Sequence, residues 1–169
     1  ALTSLCVGIT ALTAPISAFG VLGVREFSKF DDAMATSTAL LGDIGAETRN
    51  AMENATFDIS ARSRTAPADL AMSYFHLASA GYNAAESIAN LATIEQFAIA
   101  GAFDLNESGH STGSSLYAMS KATNYLVDSM TALGLRTSDV AKNSENMTHI
   151  ANVLTKANII ANATVEDFA

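Results

Sequence analysis

The chain has 169 residues, 49% hydrophobic and 15% charged, so it has the apolar content to bury the core of one domain and lacks the composition of a disordered segment. A formal net charge of -8, with nine Lys and Arg scattered along the chain, argues against nucleic-acid binding, which needs clustered cations to neutralise phosphates. Alanine is the commonest residue, Trp is absent, Pro occurs twice and β-branched residues are dispersed, which together predict an all-α fold.

Residues 1–24 carry no charge. Pro15 interrupts them and Thr3, Ser4, Thr10, Thr13 and Ser17 dilute them, so they read as an apolar helical lead-in buried against protein; a membrane-contacting segment is the competing reading. No basic residues precede the stretch, as a secretory signal would require. Cys6 has no partner cysteine in the chain and is expected to be a small buried hydrophobe. The first residue is Ala, and Thr164 to Ala169 read as the start of a helix without room to continue. The chain is therefore expected to be a piece of a longer helical protein, with residues 25–169 as its helical domain.

A first helix is predicted from about Pro15 to Leu41, ended by Gly42 and Gly45. A second spans roughly Ala46 to Arg62. Thr65 is the expected cap of a third, with Pro67 in its first turn and Leu70, Tyr74, Leu77 and Ala78 at helical spacing until Gly81. Asn83 and Glu86 form a capping-box pair opening a fourth helix, which carries Ile88, Leu91, Ile94 and Ala98 to about Ala102. Asp104 to Ser115, rich in Asn, Ser, Gly and Thr, reads as the longest loop.

A helix resumes near Leu116, with Met119, Leu126, Met130 and Leu133 on one face until Gly134. Thr137 or Ser138 is the expected cap of a last helix carrying Val140, Met147, Ala151 and Leu154. The whole reads as amphipathic helices in antiparallel hairpins joined by short Gly and cap turns. The phrase at residues 80–86 is echoed at 133–139: a Gly stop, an apolar residue, then a cap with an acid. Two copies do not by themselves establish a repeat protein.

Few residues suggest chemistry. Gly109-His110-Ser111-Thr112-Gly113 matches the G-x-S-x-G nucleophile elbow of serine hydrolases, but that motif works at a strand-to-helix turn, and the residues before it are polar with no strand pattern. His76, His110 and His149 have no His or Cys three or four residues away, so no metal site is expected. His76 reads as a partly buried packing residue and His149 as a solvated helix position. Asp31-Asp32 and Glu166-Asp167 are neighbours that point in different directions on a helix, poor geometry for acid and base acting on one bond. Gly42 and Gly45 lack the Lys of a phosphate loop. Sequons begin at Asn54, Asn106, Asn146 and Asn162 in a chain rich in Asn and Thr, and read as chance. The chain is read as non-enzymatic, with no catalytic, cofactor or metal site; a hydrolase using Ser111 and a membrane-active or secreted helical protein are the alternatives.

Several stretches, in their order, resemble the conserved helical domain of phage tail tape measure proteins. They are Leu12-Thr13-Ala14-Pro15-Ile16, Phe27-Ser28-Lys29-Phe30-Asp31-Asp32-Ala33-Met34, Ser79-Ala80-Gly81-Tyr82-Asn83-Ala84-Ala85-Glu86-Ser87, Met130-Thr131-Ala132-Leu133-Gly134-Leu135 and Asn162-Ala163-Thr164-Val165-Glu166-Asp167-Phe168. The resemblance covers nearly the whole chain and rests on the order and spacing of helix punctuation; Asn106 to Ser115 departs from it as a longer, more polar loop. It implies a structural virion protein in the tail lumen that sets tail length during assembly and leaves ahead of the DNA at infection. The implied partners are other copies of the chain, the tail tube protein and tail tip or baseplate proteins, with possible host-membrane contact through residues 1–24 and no specific nucleic acid. An acidic helical plug would not adhere to the DNA behind it, and helices that bury their faces by association suit packing with symmetry mates.

Overall fold

The computed structural model describes residues 23–63, 65–100 and 114–161, and among them every regular element is an α-helix. The described part of α1 is 23–41; α2 is Gly45–Arg62, α3 Pro67–Ser79, α4 Ala84–Ala100, α5 Ser114–Ala132 and α6 Val140–Ala161. The all-α expectation therefore holds, and α5 begins two residues before the predicted Leu116. The boundary drawn at residue 24 falls inside α1.

Helices pair with their chain neighbours, and the pairs stack. In the first pair, Phe30 of α1 lies 4.7 Å from Phe57 of α2 between ring centroids, and Asp31 accepts from Arg49 at 3.0 Å. In the second, Thr65 just before α3 donates to Glu95 near the end of α4 at 3.1 Å, while residues 80–83 link the helices at the other end, so α3 and α4 run antiparallel. Along α4 and α6 the contacts advance together, Ala89 with Ser144 and then Thr93 with Thr148, so these helices run parallel. Ser37 of α1 bonds the Ala71 carbonyl of α3, and α3 packs on α5. On the other side α2 packs on α4 and α4 on α6. One layer is thus α1, α3, α5 and the other α2, α4, α6, the arrangement in which stacked helix pairs each contact mainly their neighbours.

The core is continuous between the layers. Met34, Met52, Leu70, Tyr74, Leu77, Leu91, Ile94, Leu126, Met130 and Met147 are wholly buried, each large aliphatic side chain contributing about 1.5–3 kcal/mol of transfer free energy. The helices bury their apolar faces on one another within one chain, so this burial does not depend on symmetry mates. The likeness of the two turns extends in part into the helices before them: the buried positions 70, 73, 74 and 77 of α3 recur 53 residues later at 123, 126, 127 and 130 of α5, whereas buried Ala71 corresponds to exposed Asn124.

The turns follow the predicted chemistry where glycine ends a helix. Gly81 (φ 80°) and Gly134 (φ 63°) are both left-handed. Tyr82 N–H donates to Leu77 C=O and Gly81 N–H to Ala78 C=O; Leu135 and Gly134 repeat this onto Met130 and Thr131. Both are Schellman turns, which occupy carbonyls the helix end would otherwise leave unpaired.

Three expectations need correction. Thr65 does not cap α3: Ala66 occupies that position without a side-chain cap bond, and the Thr65 hydroxyl reaches Glu95 instead. The last helix is capped by Asp139, not by Thr137 or Ser138; its Oδ1 accepts from Ala141 N–H at 2.9 Å and Lys142 N–H at 3.1 Å. Leu133, placed on the apolar face of α5, is exposed where that helix ends.

Candidate functional site

The residues singled out for chemistry do not converge among the described residues. Gly109 to Gly113, with His110 and Ser111, lie outside them, as do Cys6, Glu166-Asp167 and the sequons at Asn106 and Asn162. His76 is half-buried with its ring edge-on to Phe75 at 5.6 Å, and burial lowers its pKa. His149 is exposed on α6, and Asp31 and Asp32 are exposed on α1. Asn54 is exposed on α2, while Asn146 on α6 uses its amide to bond the Leu135 carbonyl at 2.8 Å. Among the described residues no three His, Cys, Asp or Glu side chains gather as a metal site, and no helix is long and apolar enough to cross a membrane.

What the fold does bring together is the pair of echoed turns. The capping box forms as expected: Asn83 N–H donates to Glu86 Oε2 at 2.9 Å, and Glu86 N–H donates to Asn83 Oδ1 at 3.0 Å. This leaves Glu86 Oε1 facing α6, where it accepts from Asn143 Nδ2 at 2.8 Å. Asn143 is wholly buried and completes its bonding on the second turn, donating to Thr137 C=O at 2.7 Å and accepting from Thr137 N–H at 2.7 Å. One buried amide therefore joins the first turn's carboxylate to the second turn's backbone.

Arg136 closes the arrangement from outside. Its Nη1 donates to the Ala80 carbonyl at 2.7 Å and its Nη2 to the Gly81 carbonyl. These carbonyls lie at the C-terminal end of α3, where the helix dipole favours a cation. The guanidinium stands 4.1 Å from the Tyr82 ring centroid, a cation–π geometry, and 3.9 Å from Glu86 Oε2. Burial is the main cause that raises the Tyr82 pKa; the Arg136 charge opposes it and the Glu86 charge adds to it.

The sequence shows part of this site. Asn83 and Glu86 are legible as a capping box, and Gly81 and Gly134 as stops. In the sequence Arg136 is one of nine scattered basic residues, whereas in the fold it reaches from the second turn to the first; its signal is its place inside the second copy of the echoed phrase. Asn143 carries no signal, because an Asn in the first turn of a polar helix looks like a surface position. Chemically the cluster is a set of matched donors and acceptors around one carboxylate, suited to holding two helix pairs in register.

No protein-family model, curated protein or solved structure matches the chain.

Proposed function

We propose that the chain is a structural, non-catalytic segment of a phage tail tape measure protein, folded as a stack of helix pairs inside the tail and leaving it ahead of the DNA. One observation supports the reading: the phrases of the resemblance at residues 79–87 and 130–135 are the Gly turns that end α3 and α5, and Arg136 and Asn143, just beyond the second phrase, bond the first at Ala80, Gly81 and Glu86. On this reading, the residues that carry the resemblance have a structural part in the fold. The net charge of -8 supports a segment that does not adhere to DNA passing the same lumen.

Mass spectrometry of purified tails should find peptides of this chain before ejection and not after. Their absence from intact tails contradicts the proposal. Ser111→Ala should leave assembly and infectivity unchanged, since the hydrolase alternative alone needs that hydroxyl. Normal particles that lose infectivity would favour the enzyme.

A further inference from the structure

We propose that the apolar groove at the head of α1 is the docking site for the chain's own residues 1–22, which lie outside the described residues. The groove forms where three elements meet: Gly23, Phe27 and Phe30 come from α1, Phe57 from α2, and Pro67 and Ala68 from the first turn of α3. Its volume is about 240 Å³. One wall is a row of three rings, with Phe27 6.3 Å from Phe30 and Phe30 4.7 Å from Phe57 between centroids. The middle ring is buried, but Phe27 is 64% and Phe57 43% exposed, and Val24, one turn before Phe27, is exposed as well. A Cβ placed on Gly23 would meet nothing within 4 Å, so the space beside the first residue of the described α1 is open.

Single apolar side chains on a surface are ordinary, whereas adjacent ones lining a concavity mark a surface that something covers. Three features select the occupant. Residues 1–22 contain no charged residue and include Leu12, Ile16, Phe19 and Leu22, so docking them takes no charge out of water. Glu26, the charged residue among those lining the groove, is paired with Lys29 at 2.7 Å and stays exposed. Residue 22 joins the chain at Gly23, on the rim of the groove, so the segment has no span to cross before it reaches the rings. A segment attached this closely acts at an effective concentration of about millimolar, which a second copy or a membrane surface must exceed to displace it. Docking removes both exposed rings and the segment's own apolar side chains from water together.

Cys6 is the chain's one cysteine, so a nitroxide attached to it reports where the segment lies through the loss of NMR signal it causes nearby. In the full chain, the signals of Phe57 and Ala68 should lose most of their intensity, while those of Ser144 and Met147 on α6 keep theirs. Phe27→Glu places a charge in the groove at an exposed position and should restore the Phe57 and Ala68 signals. Phe19→Glu should restore them from the segment's side, with the described helices unaltered. A segment that is tethered but not docked would broaden the surroundings of Gly23 equally in all three proteins, and that result would overturn the proposal. So would loss of the Ala68 signal when the nitroxide is carried on a separate chain, which would assign the groove to a second copy. An undiminished Ala68 signal in water, with the nitroxide moving onto phosphatidylglycerol vesicles, would likewise overturn it and assign the segment to a membrane.

Discussion

Gly81 and Gly134 have positive φ, and each turn's bond pattern requires that conformation at its position. A Cβ added at Gly134 would meet nothing within 4 Å, and one at Gly81 only the Arg136 guanidinium at ordinary contact distance, so the expected penalty is conformational rather than steric. Gly81→Val and Gly134→Val should each cost about 1–2 kcal/mol or more, lowering the melting temperature by roughly 2–8 °C. An unchanged melt for either would show that its turn is not held as described. Tyr74 supplies a test in alkali, because burial raises its hydroxyl pKa to about 12 while a bond from Thr56 pulls the other way. The folded state holds this proton more tightly than the unfolded chain, whose tyrosine titrates near 10, so the contribution is fully present below about pH 10 and is lost as pH rises toward 12. Tyr74→Phe should flatten that fall in stability, measured by urea unfolding across the range. An equally steep fall in the variant would assign it to other groups, such as Tyr82, whose pKa is also raised.

At the level of elements, the helices were legible because their signals are local. The 3.6-residue spacing of Leu70, Tyr74 and Leu77, the capping pair Asn83 and Glu86, and the stops at Gly81 and Gly134 act within one or two turns of chain, and each appears in the fold as expected. Cap identity was less legible. Thr65, Thr137, Ser138 and Asp139 can all cap a helix, and what selects among them is which side chain a distant element claims: Glu95 takes the Thr65 hydroxyl, and Asn143 engages Thr137. The cluster that joins the two turns was not legible, because Arg136 meets Ala80 and Asn143 meets Glu86 across more than fifty residues, and neither partner is specified by local spacing. Asn143 is the sharpest probe of that arrangement. Asn143→Leu would leave the buried Glu86 Oε1 without its partner, at about 1–3 kcal/mol, while the backbone of the exposed Thr137 can turn to water. The urea midpoint should fall with an unchanged slope, whereas an unshifted midpoint would show that water replaces the amide without cost.

For the whole molecule, the layered stack bears on how this chain would act if, as proposed, it is part of a tape measure protein. A single helix extends by about 1.5 Å per residue, and a protein that works as a ruler in that form should set tail length in proportion to residue number. Stacked pairs fold the chain back on itself, as the antiparallel α3 and α4 show, so this segment should add far less than its contour length. The direct measurement is tail length by electron microscopy in two series of in-frame deletions, one in helical regions elsewhere in the proposed parent protein and one removing residues 67–157. The first should shorten tails by about 1.5 Å per residue removed. The second should block assembly or shorten tails by much less, and normal tails shortened in full proportion by the second deletion would contradict a folded structural segment.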